Sequence, residues 1–587
     1  MKYRTILLLS TVLLVSIGLS AGIRYAFASG LDEVNVPQIL PRNQTLYITG
    51  IPPGNTTIFN PLNSNAAWPV SSNYLLTYET LFAYNQVTGA LDPLLAKDYG
   101  FSTNNITLTV TLQDDTQWQD GQPLTTDDVV YSYELAQTYS DIYYATLYDY
   151  ITEIKSTGDR TLQITLSASN HNPGMVKNFL ATIKILPMHI WQPRETQCVL
   201  PLPECPETNP VGSGPYTMIN YSPEKITLFR DDDYWGKTTY GLPKPKYIVH
   251  SLFLNYEAGK LAFLNGDVDL SASYFPELWE DESLLIGTWY DQPPYYLPGS
   301  IPILIINVHK PGLDNPLVRR ALAYSINYSA ISEAIWNYPT PVSSSLILPV
   351  GPESALFNPT QIAQYGWSYD PSKAEDILVN QLEATKGIDG IYVLPGNIRL
   401  GPWSVRTTHG WSDWETAVNI VVQNGIAAGI DLVADFPEFG QIYPALQRGD
   451  FDMNLWWISG SEAASPWTRF RDMLDIRGVA PIGEPAARNY GRFSNAAVPN
   501  LLDQAGEVTN PVTVKNVYDQ LDKIFMDNAP GIPLMYRPYE FYEFSTAHWL
   551  GFPTFDDPYA PPMFTGAGVE ILYNISPGLF YLPVVNR

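Results

Sequence analysis

The sequence predicts an α/β protein of two or more domains, and three observations carry that expectation. Its 587 residues exceed what one hydrophobic core usually supports. Alternating apolar segments of the kind strands require are interleaved with segments of helical period in both halves of the chain. No repeat of fixed period is present, which sets aside solenoids and propellers. Apolar residues make up 45% of the chain, enough for ample cores and too many for a mainly disordered protein.

At the start, Lys2 and Arg4 precede the apolar run Ile6–Ile23, and Ala26-Phe27-Ala28 offers small residues for cleavage. The run is long for a signal core and near the minimum for a membrane span. Residues 1–28 therefore read as a signal peptide or as an uncleaved N-terminal anchor. No cysteine follows, so a lipid-modified start is not expected.

Leu46–Gly50 reads as a strand, and Tyr78–Tyr99 as a helix-like run, a turn at Thr88-Gly89 and a second amphipathic piece. Thr107–Leu112 alternates as a strand, and Asp120-Gly121 is a hairpin signal. Thr125–Asp128 caps a helix, with acids at its positive end. Arg160–Leu166 is a strand and Phe179–Ile190 a short apolar helix. Gly212-Ser213-Gly214-Pro215 is a tight turn, because glycine tolerates positive φ and proline fixes φ. Tyr216–Asn220 and Lys225–Arg230 then form a hairpin around Ser222-Pro223-Glu224.

Tyr247–Leu254 is a strand, followed by a helix ending at Gly266 and a strand at Val268–Leu270. The proline-rich stretch Pro293–Pro302 reads as a crossing between lobes and leads into the apolar strand Ile303–Val308. Asn315–Trp336 is an amphipathic helix pair, and Asp370 caps a further helix. Gly410–Leu432 is a long helix, a glycine stop and a buried strand, and Gly449–Trp457 is a strand.

Lys+Arg at 33 against Asp+Glu at 59 gives a net charge of −26, which argues against nucleic acid or an anionic membrane as partner. Only 16% of residues are charged, against an ordinary ~25%, a balance suited to a secreted protein in acid. Solubility titrated against pH tests that expectation. Cys198 and Cys205 enclose a proline-rich loop and read as a disulfide in an oxidising compartment, since zinc would need further ligands nearby. Sequons at Asn43, Asn55, Asn105, Asn220, Asn327 and Asn574 are compatible with surface glycosylation.

The six histidines are scattered, with no i, i+4 pair for a metal, and no metal or cofactor is expected. There is no Gly-x-Ser-x-Gly elbow and no His-Glu-x-x-His, and Gly236-Lys237-Thr238 lacks the glycine of a phosphate loop. No enzyme is therefore expected, although a glycosidase's two carboxylates leave no linear motif.

Several blocks share one order: WQDGQPLTTDDVVYSYELA from Trp118, VGSGPY from Val211, DYWGK from Asp233, EAGKLAFLNGDVDLSA from Glu257, NPLVRRALAYSINYSAISEAIW from Asn315 and APGIPLMY from Ala529. Together they resemble the family 5 extracellular solute-binding proteins, the peptide-, nickel- and oligosaccharide-binding receptors of ABC importers. The likeness spans roughly Asn60–Tyr542. It implies the two-lobe periplasmic-binding-protein-like fold of type II, with a hinge between lobes and an extra subdomain in the first. The first lobe would be residues 31–297 with an insert at about 80–205, the second 298–526, and 527–587 the return to the first. It also implies an extracellular monomer that passes its ligand to permease subunits in the membrane.

Peptide-binding members hold the ligand's α-ammonium with an Asp in a WxxD-type stretch. Here that stretch reads Trp456-Trp457-Ile458-Ser459-Gly460-Ser461, placing Gly460 at the acid position, with Glu462 two residues on. Ser465–Phe470 and Gly410–Trp414 instead resemble the family's sugar-binding branch. Flat aromatic faces suit pyranose rings, and neutral sugars need no buried counter-charge. The implied ligand-binding residues are Trp411, Asp413, Trp414, Trp456, Trp457, Ser459, Glu462 and Trp467, with Asn60 from the segment that frames one rim of the cleft. Against this stand the usual burial of Trp and a plain helix N-terminal role for Asp413. The expected ligand is an oligosaccharide, such as a β-linked glucose oligomer, with short peptides second.

Overall fold

Two β-sheets joined by a two-stranded ribbon organise the molecule. The computed structural model describes residues 39–50, 58–71, 74–273, 275, 285–336, 341–508 and 510–578. Of these, residues 41–578 belong to one compact unit. The segment assigned to a signal peptide or anchor lies outside the described residues. Among those described, no helix is long and apolar enough to cross a membrane.

Strand β1 (Thr45–Gly50) opens the first lobe's main sheet. The chain then builds a smaller antiparallel sheet from β2 (Ala96–Phe101), β3 (Thr107–Leu112), β4 (Ile151–Gly158) and β5 (Thr161–Leu166), in the order β2-β3-β5-β4. Every second residue of β3 and β5 is buried, so one face packs and the other meets solvent. Helix α1 (Thr126–Thr138) packs on β4 and starts at a capping box, in which Thr125 N donates to Asp128 Oδ2 at 2.9 Å.

Helix α2 (Pro173–Thr182) begins where the Asn172 side chain accepts from Met175 N at 3.0 Å. The expected helix over 179–190 is thus corrected. A side-chain cap and a proline at the first helical turn set the start earlier, and a second helix follows at Met188–Gln197.

The segment 78–99 is a second correction. Phe82–Tyr84 pairs with Leu91–Pro93 as a hairpin rather than forming a helix. Asn85 Oδ1 accepts from Val87 N and Thr88 N, both at 3.1 Å, and Gly89 has φ +75°. Residues 75–86 are buried almost without a break, so their apolar run carries no usable period.

The first sheet continues with β6 (Tyr216–Ser222), β7 (Lys225–Arg230), β8 (Tyr247–Leu252), β9 (Leu270–Ser271) and β10 (Ile286–Gly287). The turn before β6 has its glycines for close approach, not for positive φ. A Cβ on Gly212 would lie 1.7 Å from Thr77 O, and one on Gly214 2.3 Å from Leu76 O.

The chain crosses through β11 (Pro298–Ser300) into β12 (Ile303–Ile306). The helix pair α3 (Pro316–Ser325) and α4 (Tyr328–Trp336) follows. Next come β13 (Trp403–Arg406), α5 (Ser412–Ala427), β14 (Leu432–Asp435), α6 (Phe439–Arg448), β15 (Met453–Trp456) and α7 (Trp467–Leu474). Strand β16 (Gly531–Pro533) ends this second lobe, β17 (Arg537–Pro538) crosses back, and β18 (Glu543–Ser545) rejoins the first sheet.

The finished sheets run β10-β18-β9-β1-β8-β7-β6 and β14-β13-β15-β12-β16, and β11 pairs with β17. Ser300 lies opposite Arg537 in that ribbon. Ile303 pairs with both Trp456 and Pro533, so both crossings leave the second sheet at the edge where β15 and β16 end.

Cys198 and Cys205 are bonded to each other. Of the sequons, Asn220 and Asn574 are exposed, Asn327 Oδ1 accepts from Ala330 N at the start of α4, and Asn55 lies outside the described residues.

Candidate functional site

Strands β13, β14 and β15 run parallel and end at the edge from which the chain crosses to the first lobe. Side chains just past the carboxyl ends of parallel strands bound the natural crevice of an open α/β sheet. Past β13 the loop reaches Trp411 and α5, past β14 the chain enters α6 at Phe439, and past β15 comes Trp457. These three exits bring six aromatic rings together.

Trp456 stacks on Trp457 with centroids 4.3 Å apart and planes 16° from parallel, and on Tyr443 at 5.7 Å and 12°. Phe439 lies 6.0 Å from Trp456. Trp411 meets Trp414 edge-on at 5.1 Å and stands 5.5 Å from Trp457. The group is graded in exposure: Trp456 and Trp414 are buried, whereas Trp457 is 44% exposed and Phe439 38%. Large aromatics left open beside a buried base form a platform for a flat apolar surface.

Asp413, in the first turn of α5, is only 5% exposed. Burial pushes its carboxyl above the usual range, with the Arg537 guanidinium pulling the other way. Its Oδ2 lies 3.8 Å from Arg537 Nε, beyond hydrogen-bond reach.

The structure places Ser459, Glu462 and Trp467 in a different group, where the segment after β15 meets the first lobe's smaller sheet and its helices. Ser459 Oγ donates to Asp472 Oδ2 at 2.5 Å. Asn178 Nδ2 of α2 donates to Glu462 Oε2 at 3.2 Å, and burial raises the Glu462 carboxyl above its ordinary range. Trp467 is buried, donates from Nε1 to Leu502 O at 2.8 Å and meets Tyr150 edge-on at 6.2 Å.

Asn60 stands apart from both groups. Its amide donates to Leu202 O at 2.7 Å and Cys205 O at 3.0 Å, which engages both hydrogens in bracing the disulfide loop. Gly460 packs on an aromatic ring: a Cβ there would sit 3.0 Å from Tyr539 Cδ2. An acid at this position requires Tyr539 to give way.

Sequence reasoning missed Phe439, Tyr443 and Arg537. The two aromatics had a signal, an i, i+4 pair opening a helix directly after a strand. Arg537 had none beyond being a lone cation after an apolar stretch.

Two α/β lobes, a two-stranded crossing and side chains gathered at the strand ends beside it define a two-lobe binding protein. Residues 90–475 match the profile of bacterial extracellular solute-binding proteins, family 5 Middle, and the chain belongs to that family. Its fold is similar to that of a mannohexaose-bound oligopeptide ABC transporter, periplasmic oligopeptide-binding protein, from Thermotoga maritima. The TM-score is 0.81 at 28% identity, covering 92% of this chain and 100% of that one. A probable peptide-binding protein, YejA, of Agrobacterium fabrum is 24% identical over 526 residues, 81% of each chain. The dipeptide-binding protein of Escherichia coli is 23% identical over 507 residues, 82% of this chain and 87% of that one.

Proposed function

We propose that this family member serves its ABC importer as an oligosaccharide receptor outside the cell, secreted or held by its N-terminal segment. The sugar packs on the open rings of Trp457 and Phe439 and on the half-buried Trp411 beside them, and the lobes close over it for delivery to the permease. The carrying observation is the solvent-open aromatic platform at the crossing edge, built over a buried base. Pyranose C–H faces match such a surface, and a neutral ligand needs no buried counter-charge. The backbone of Gly460 against Tyr539, at the position where peptide-binding members carry an acid, supports the same reading. So does the mannohexaose in the similar Thermotoga maritima structure.

Short peptides are the second reading, favoured by one feature: Glu462 is a half-buried carboxyl two residues from Gly460. Relatives named as peptide- and dipeptide-binding proteins point the same way.

Thermal unfolding of the purified protein against mannohexaose, a β-linked glucose hexamer and tri- and tetrapeptides separates the two. A ligand at 100 times its Kd stabilises the fold by about 2.7 kcal/mol. Sugars are expected to raise the midpoint, and Trp457→Ala to remove that rise while leaving the unliganded midpoint nearly unchanged. A rise with peptides alone, abolished in Glu462→Gln, would overturn the sugar reading.

A further inference from the structure

We infer that a cavity in the first lobe, sharing no residue with the aromatic platform, binds a small organic cation: an amine carried on an apolar body. The inference is independent of what the platform holds.

The cavity has a volume of about 650 Å³, within the range that encloses a small molecule. Its walls come from the segment 75–94, from Pro215 and Tyr240 on either side of the β6–β7 hairpin, and from the C-terminal return over 559–574. The return is set close against the hairpin of Phe82–Tyr84, since a Cβ on Gly566 would lie 2.9 Å from Tyr84 O.

Charge selects the class of ligand. Glu79, Asp92 and Glu570 line the cavity, and no Lys, Arg or His is among its lining residues. Glu79 is buried, and its two oxygens accept from Tyr234 Oη at 2.6 Å and Trp235 Nε1 at 3.0 Å. Lys184, whose Nζ donates to Tyr78 O at 2.8 Å, offsets part of its charge. The other two acids are more open: Asp92 is half-buried and Glu570 exposed. Asp92 accepts from Asn85 Nδ2 at 2.9 Å, and neither acid is in an ion pair among the described residues. Burial, and then the charge of Asp92, hold the Glu570 carboxyl above its ordinary range, so the two acids act on each other. Like charges sharing a cavity without a counter-charge favour a cation between them.

The rest of the wall narrows the choice. Among the described residues no three of His, Cys, Asp and Glu stand close enough to hold a metal ion, so the carboxylates offer a spread negative field rather than a coordination shell. The Tyr240 hydroxyl donates to Leu94 O and accepts from Gln113 Nε2, both at 2.9 Å, and the Tyr559 hydroxyl donates to Gly551 O at 2.6 Å. With their hydroxyls engaged, these residues offer ring surface, which suits a cation better than a polyol. The other lining residues, apart from Tyr573 and two asparagines, are aliphatic or proline, which accommodates an apolar body.

The experiment titrates the full chain by calorimetry with phenethylamine and hexamethylenediamine, against phenethyl alcohol as the neutral isostere. It repeats the titration with Glu570→Gln, Asp92→Asn and Trp457→Ala, recording the unliganded midpoint of each. An amine is expected to bind at one site, about tenfold or more tightly than the alcohol. Glu570→Gln and Asp92→Asn should each weaken it about tenfold, while Trp457→Ala leaves its Kd within about twofold. Glu570 is exposed, so Glu570→Gln should keep the unliganded midpoint and separate lost binding from lost folding.

Equal affinity for amine and alcohol would overturn the inference, as would the absence of amine binding at millimolar concentration. So would amine binding that survives both carboxamide variants but is lost in Trp457→Ala, which would put the amine on the platform. Several weak sites that vanish with added salt would mark general attraction to the chain's net charge of −26, and would also overturn it.

Discussion

Each lobe carries a stack of aromatic rings, and the two are built for different ends. In the first lobe Trp68 lies flat on His250, 4.4 Å away and 2° from parallel, with Phe564 at 6.3 Å and Tyr74 at 5.7 Å. Trp68, His250 and Phe564 are buried, and Tyr74 donates to the Glu540 carboxylate at 3.1 Å. The cavity they leave, about 20 Å³ at the ends of β1 and β9, has room for about one water. In the second lobe the stack opens to solvent through Trp457 and Phe439. Both stacks draw on Trp, Tyr and Phe, so those residue types do not separate the two. Position relative to the strand ends, and what covers the outermost ring, does. The first-lobe stack also holds buried His250 and borders half-buried Glu540, so it governs stability and its pH dependence.

The largest expected effect is on the sealed stack. Trp68→Ala should destabilise the fold by about 3–5 kcal/mol, because a buried indole is removed and its neighbours collapse only in part. Denaturant unfolding checks it. A loss below about 1 kcal/mol would mean the first-lobe stack is not part of the core.

Next comes pH. Burial raises the Glu540 carboxyl from 4.5 to about 7. The folded chain therefore holds this proton more tightly than the unfolded one. Its contribution is full below pH 4.5 and is lost as pH rises toward 7, by about 3 kcal/mol. His250 runs the opposite way: burial lowers it from 6.5 to about 3, so its contribution is full above pH 6.5 and is lost as pH falls toward 3. The two offset each other in the native chain. Glu540→Gln should remove the first alone, so its stability gains on the wild type by about 3 kcal/mol between pH 4.5 and pH 7. Parallel stability curves for the two proteins would show that Glu540 does not titrate in this range.

Much of this architecture is legible in the sequence where a local rule decides. Thr125–Asp128 is a capping box, Asp370 accepts from Lys373 N, and Cys198 pairs with Cys205. Legibility fails where tertiary packing decides. Residues 75–86 are too uniformly buried for apolar period to tell strand from helix, so only the Asn85 turn betrays the hairpin. Trp457 and Trp467 look alike in sequence and ten positions apart, yet one ring faces solvent and the other is locked to Leu502 and Tyr150. Arg537 is beyond sequence reasoning altogether. It meets Asp413 only because β11 and β17 pair across a long separation along the chain.

The smallest effect sharpens the contrast most. Phe439 opens α6 and is 38% exposed, in contact with Tyr443 and Trp456. Truncating a ring that is already partly solvated removes little transfer free energy, so Phe439→Ala should cost about 1 kcal/mol of stability or less. An edge or stacking contact with a ligand contributes about 0.5–1.5 kcal/mol, so the same change should raise Kd for a bound oligosaccharide roughly threefold to tenfold. Calorimetric Kd and unliganded midpoint, measured together, give both numbers from one protein. If the midpoint falls as far as in Trp68→Ala, the second stack is core after all. If instead stability holds and Kd rises, rings of one chemical kind have been divided between holding the fold and holding a ligand by which side of a strand end they occupy.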